Sequence, residues 1–218
     1  MQAQSQTFLK NPATALAIAL LEKIRHQLQD PLFLRQHRRH DKAFTRKRVL
    51  TFSVVVLFVL QKTVKSLQLH LHEFLSQGDD FAGVAVGAGA LTRARAKLSH
   101  SAYVALNSDI LLPAFYSAPA APHLRLWRGH RVLAIDGSLI RLPATAALFD
   151  RFGRVECANQ KGKSSVAYPP ARISVLYDVL NHIGWDARLE PHTLGETTLA
   201  RLHLNHVRPG DVLLCDRG

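Results

Sequence analysis

The sequence predicts an α+β chain, a helical first part followed by a strand-rich second part, and three observations predict it. Up to about residue 118, apolar residues recur at helical spacing. Ser117-Ala118-Pro119-Ala120-Ala121-Pro122-His123 then has the composition of a linker. Beyond it, short apolar runs alternate with turn signals. The reading gives one domain over residues 1–122 and a second over residues 123–218.

Asn11-Pro12 reads as an N-cap followed by proline at the first helical position. Leu16, Leu20, Ile24 and Leu28 then line one helical face, which ends at Asp30-Pro31. Arg35 to Arg48 is a basic run with seven Lys+Arg and one acid, Asp41. Such a run is either a solvated face or an anion-binding one. It leads into an apolar helix, Thr51 to Lys62, with Thr45 as the expected cap and burial at the centre of a bundle as the expectation. Leu67, Leu71, Phe74 and Leu75 share a helical face in Ser66–Ser76, although the alternation LQLHLH also fits a strand. Gln77-Gly78 favours a helix end. Val84–Ala90 is small and flexible in composition, and Arg93, Arg95 and Lys97 follow on a short helix. Ser99 is the expected cap of the next helix, which runs to about Ala118. Two helices with a basic face fit either a helix-turn-helix-like DNA contact or the plain surface of a bundle.

In the second part, Val132–Ile135 reads as a strand ending at Asp136, with a hairpin turn at Gly137-Ser138 and a return strand Leu139–Leu142. Gly153–Pro170 is polar and reads as a mobile segment. Its Gly162-Lys163-Ser164 is no phosphate loop, because Cys157 stands where that motif needs glycine. Ala171–Val179 is a third strand, Asn181–Pro191 a turn with a short extension, Thr193–Asn205 a helix, and Val212–Cys215 a last strand ending at Asp216. Three antiparallel strands and a helical crossover allow the last strand to lie parallel beside the first. Asp136 and Asp216 would then be neighbours. A carboxylate at a buried strand end is costly unless paired, hydrogen-bonded or metal-bound. The alternative stays open: Asp136 opens an ordinary Asp-Gly turn and Asp216 is an unremarkable strand-end acid.

Charge narrows the partner. The net charge is +12 with a sequence pI near 10.3. Up to Trp127 there are 16 Lys+Arg against 7 acids (+9), and from Arg128 onward 12 against 9 (+3). A polyanion, nucleic acid before membrane, is the expected partner, held mainly by the first part. Arg38, Arg39, Arg46, Lys47, Arg48, Arg93, Arg95 and Lys97 are the candidate DNA-binding residues. The longest apolar run, Val49 to Leu60, is too short for a spanning helix, and the N-terminus lacks the basic start of a signal peptide. Cys157 and Cys215 have no metal-site spacing and point to a reducing, cytoplasmic setting. Two adjacent carboxylates suit Mg²⁺ or Mn²⁺, hard cations that share oxygen ligands with phosphates.

The segments FTRKRVLTFSVVVLFVLQKTVKSLQLHLHEFL, ALTRARAKLS, LAIDGSLIRLP, YPPARISVLYDVLN and GDVLLCDRG, in that order, resemble the DDE transposases of bacterial insertion sequences, the insertion sequence 4 family. The resemblance implies a helical DNA-binding domain before an RNase H-like catalytic domain. It implies that Asp136 and Asp216 are catalytic, the first two acids of a metal-binding triad. It further implies Mg²⁺-dependent nicking of double-stranded DNA at transposon ends, strand transfer by the freed 3′-hydroxyl, and a homodimer in a synaptic complex. The family's third acid, a glutamate on a later helix, has no counterpart up to Gly218. The expectation is therefore a truncated transposase, inactive alone. The alternative is a catalytically inactive regulator that binds DNA or pairs with the full protein.

Overall fold

The structure, a computed structural model, describes residues 12–46, 48–62, 64–78, 85–158 and 165–216. Its contacts divide the chain into two compact units, Met1–Pro122 and His123–Gly218.

The first unit is helical. Helix α1 (Pro12–Gln29) stops where Pro31 cannot continue it, and Asp30 caps α2 (Pro31–His37) by accepting a bond from Leu32 N–H at 2.9 Å. The expected cap at Asn11 lies outside the described residues. Helix α3 (Phe52–Leu60) is capped by Thr51, whose Oγ accepts from Val54 N–H at 3.3 Å, and not by Thr45, whose hydroxyl donates back to Lys42 O. Only one side of α3 is covered. Phe52, Val55, Val56 and Phe58 are buried, while Leu57, Val59 and Leu60 stand exposed, so the expected all-round burial is corrected.

Helix α4 (Leu67–Ser76) starts at a Ser66 cap and buries Leu71 and Leu75, which settles the helix-or-strand ambiguity of LQLHLH. Helix α5 (Ala88–Arg95) buries Leu91 and Ala94. Helix α6 (Ser101–Ala105) continues through one π-helical stretch, Leu106–Leu111, into α7 (Leu112–Phe115). Pro113 accounts for that stretch. Its ring and missing N–H disturb the normal ladder, and Leu112 N–H bonds instead to Asn107 O, five residues back. Two apolar clusters hold the unit, one around Leu28, Phe33, Phe52 and Val56, the other around Phe58, Leu71, Leu75 and Leu91.

The second unit is built on a mixed sheet of four strands in the order Ile183–Pro191 (β5), Pro170–Asp178 (β4), Val132–Arg141 (β1) and Val212–Cys215 (β6). Strand β1 (Val132–Arg141) runs straight through Asp136-Gly137 and pairs with β4 (Pro170–Asp178) along its length. The expected hairpin at Gly137-Ser138 is therefore absent. Glycine is accommodated there for another reason: a Cβ on Gly137 would come within 3.3 Å of the Ile173 carbonyl oxygen. Helix α8 (Ala146–Phe152) and a separate hairpin, β2 (Val155–Ala158) with β3 (Ser165–Tyr168), occupy the connection from β1 to β4. Its tip, with Gly162-Lys163-Ser164, lies outside the described residues.

Strand β5 (Ile183–Pro191) replaces most of the expected turn. The β4–β5 turn carries no glycine signal. Buried Asp178 forms it by accepting bonds from the Asn181 backbone N–H and both its oxygens from the Asn181 amide, with His182 in the left-handed region (φ 57). Helix α9 (Glu196–His203) crosses back, and β6 (Val212–Cys215) lies parallel beside β1. The expected logic of three antiparallel strands, a helix and a parallel return thus holds, with β4 and β5 in place of the misplaced hairpin.

Candidate metal centre and nucleic-acid interface

The two predicted acids stand just past the last pair of the β1–β6 register. Ile135 pairs with Cys215, and Asp136 and Asp216 each follow one residue later. Neighbouring strands lie about 4.8 Å apart, and in-register residues of a parallel pair share a face. Alternation along β1 assigns the faces. Leu133 and Ile135 are buried with Leu176 against Ala200 of α9, so Asp136 lies on the opposite face with Ala134. Both acids are exposed. Asp136 Oδ1 accepts from Gly137 N–H at 2.7 Å. Among the described residues no ion pair occupies either acid.

Two further side chains bridge the other end of the same two strands. Arg131 and Asp211 stand five residues before Asp136 and Asp216. Their side chains form a part-buried ion pair, with Arg131 Nε donating to Asp211 Oδ1 at 2.8 Å. The Arg131 guanidinium stacks on Trp185 at 4.6 Å from the ring centroid. Trp185 is the extra residue where the β4–β5 register shifts. Burial pushes the Asp211 carboxyl up, but the bonds it accepts from Arg131 and from Arg208 N–H, with both charges, hold it below the ordinary 3.8.

Among the described residues no third candidate ligand joins the two acids. Among the described residues no group of three or more His, Cys, Asp or Glu is placed to hold an ion. Glu196 approaches Gly137, but from the α9 side of the sheet, and it is ion-paired with Arg172. Glu190 sits on β5, two strands from β1. The donor set is two carboxylates, hard oxygen ligands of the kind that suits Mg²⁺ or Mn²⁺.

One polar network was not legible in the sequence. Ser174 Oγ and His203 Nε2 are 3.0 Å apart, and His203 Nδ1 lies 3.0 Å from Asp186 Oδ2. The order serine–histidine–aspartate resembles a hydrolase relay. Ser174 is buried beneath α9, however, and the chain of bonds acts as a tether between helix and sheet. Burial holds the His203 imidazole below its ordinary 6.5, opposed by the Asp186 charge.

The predicted cationic residues divide. Two backbone bonds zip the basic run to the end of α5, Ser99 N–H to His37 O and Arg39 N–H to Lys97 O, and together they make the Arg38–Leu98 bridge. That zip brings Arg46 and Arg48 to the same cleft as Arg93 and Lys97, with Lys42 and His40 added to its rim. The cleft has a volume of about 790 Å³, and none of the described residues lining it is acidic. Arg38 is engaged elsewhere, paired with Asp41 at 3.0 Å, and Arg39 Nε donates to Leu98 O at 3.3 Å. Arg95 is exposed and does not line the cleft; its charge acts on Tyr103, whose hydroxyl burial pushes up to about 12. Lys47 lies outside the described residues.

Comparison with known proteins adds one relative. Over 91 residues the chain is 32% identical to a protein of Escherichia coli (strain K12) named "Putative transposase InsZ". Part of this chain is transposase-like in sequence. The match covers 42% of the chain and 29% of that protein, so the chain spans less than a third of its relative's length. No family profile and no solved structure matches the chain. Among the described residues no helix is long and apolar enough to cross a membrane.

Proposed function

We propose that this chain is a transposase chain of the DDE class, of the insertion sequence 4 kind, with an RNase H-like second domain. Asp136 and Asp216 are its first two metal ligands, and the helical first domain is its DNA-binding part. The observation that carries the reading is the single register step by which Asp136 and Asp216 follow the Ile135–Cys215 pair. The transposase-like relative and the basic cleft support it. Bound Mg²⁺ or Mn²⁺ would supply an activated water or hydroxyl and stabilise the leaving oxygen of a phosphodiester. The protein's own part is to hold two carboxylates at the ends of neighbouring strands and, in the first unit, to bind DNA phosphates.

Cleavage by this mechanism needs a third acid that the described residues do not offer. With two ligands the chain binds the ion weakly and cuts slowly or not at all. That favours, as a second reading, a chain that binds DNA and regulates transposition without catalysis. Mn²⁺ titration followed by electron paramagnetic resonance tests the ligand assignment. The intact chain binds Mn²⁺, and Asp136→Asn and Asp216→Asn each weaken binding by about tenfold or more. Equal Mn²⁺ affinity in all three proteins removes the acids from the proposed site. Protection of a transposon-end duplex by all three, without cutting, is the regulator's signature.

A further inference from the structure

The cleft of the first unit has two chemistries. Its lining is cationic, with Arg46, Arg48, Arg93 and Lys97. Its lining is also apolar, with Phe44, Val49, Leu50, Val86, Ala90 and Ala94. A cationic lining alone suits any phosphate backbone. An apolar recess does not suit a duplex, which presents phosphates and sugars outward and keeps its base faces stacked inside. What matches cations and recess together is a phosphate joined to an exposed planar face, that is, an unpaired nucleotide.

Phe44 gives this a second footing. It is half-buried, and its ring meets Phe52 edge-to-face, 5.6 Å between centroids at 83°. Its backbone sits in the left-handed region, φ 58, which is strained for a bulky residue. Such strain clusters at ligand sites, where the surrounding structure holds it. Here the zip of residues 37–39 to 97–99 lies just upstream.

We infer that this cleft binds an unpaired nucleotide of single-stranded or frayed DNA, its base against Phe44 and Leu50 and its phosphates on Arg46, Arg48, Arg93 and Lys97. The inference rests on the DNA-binding reading above and narrows it to a substrate class. Fluorescence anisotropy of the intact chain with a labelled oligothymidylate and with a labelled duplex of equal length tests it. Single strand binds more tightly than duplex, by about fivefold or more, and Phe44→Ala lowers single-strand affinity by about tenfold while leaving duplex affinity nearly unchanged. Phe44 also packs on Phe52, so Phe44→Leu, which keeps an apolar side chain and loses the aromatic face, is the companion variant, with 2-aminopurine quenching as the stacking readout. Equal affinity for the two DNA forms, with no effect of Phe44→Leu on either, overturns this inference and leaves DNA binding standing. Failure to bind either form overturns both.

Discussion

The two candidate sites are assembled by opposite means. The acid pair of the second unit is a product of strand register: one hydrogen-bonded ladder decides whether two short side chains stand side by side. The basic cleft of the first unit is a product of long, mostly exposed side chains brought near each other by a two-bond zip between residues 37–39 and 97–99. Short carboxylates on strands tolerate no slip, because a shift of one residue turns each to the other face. Arginine and lysine reach several ångströms and re-aim at little cost. The acid site should therefore fail sharply when its support is removed, and the cleft should fade by increments.

The sharpest test of that contrast is the Arg131–Asp211 pair. Removing one partner of a fully buried ion pair typically costs about 3–5 kcal/mol, and this part-buried pair should sit at or below the lower end of that range. Asp211→Ala is expected to lower stability by that order in urea unfolding and to abolish Mn²⁺ binding, although neither acid is touched. Affinity for DNA, which the proposal assigns to residues of the first unit, should change little. The exchanged pair, Arg131→Asp with Asp211→Arg, should recover part of the loss. Mn²⁺ affinity that survives Asp211→Ala in a folded protein would show that the ladder alone holds the register. Acid sharpens the same point. Because the folded pKa of Asp211 lies below 3.8, its contribution is whole above that value and is lost as pH falls through the folded pKa.

A smaller effect should strike both units alike. Each contains a buried histidine, His37 bonded to Ser101 at 2.8 Å and His203 between Ser174 and Asp186. Burial lowers both below 6.5, opposed by Asp109 at His37 and by Asp186 at His203. The unfolded chain thus takes up a proton at higher pH than the folded one. The stability each contributes is whole above pH 6.5 and shrinks as pH falls from there toward the folded pKa. The urea midpoint should drop between about pH 7.5 and about pH 5.5. Replacing both by glutamine should flatten that slope while lowering the midpoint at neutral pH. A midpoint independent of pH across that window would mean that neither histidine is held neutral.

The sequence carried those features that depend on neighbours in the chain. Helix α1 was legible from Leu16, Leu20, Ile24 and Leu28, and α4 from Leu71, Leu75 and the Gln77-Gly78 end. The parallel return of β6 followed from a strand, a helix and a strand in succession. Asp-Gly at 136–137 misled, because its turn chemistry is local while the strand that contradicts it, β4, lies more than thirty residues on. Strand β5 was hidden because its turn uses Asp178, Asn181 and a left-handed His182 in place of glycine. The cleft was half legible. Its cations stood out as two basic runs, but which of them meet depends on the backbone zip, and that zip ties Arg38 and Arg39 into the structure while leaving Arg46 and Arg48 at the rim.

That division of labour among the arginines yields the smallest and most discriminating effect. Each phosphate contact contributes about 0.9 to the salt slope on duplex DNA and about 0.7 on a single strand. Arg46→Ala, Arg48→Ala and Arg93→Ala should each weaken binding only a few-fold at moderate salt and lower the slope by roughly that amount, without changing the fold. Arg38→Ala, which breaks the Asp41 ion pair and removes no cleft cation, should leave the slope where it was. The comparison between the two sites then turns on how losses combine. If the cleft works by increments, a double replacement at Arg46 and Arg93 lowers the slope by the sum of the single effects. If it collapses as the acid pair does, one replacement already removes the whole dependence, and the cleft is as register-bound as the sheet.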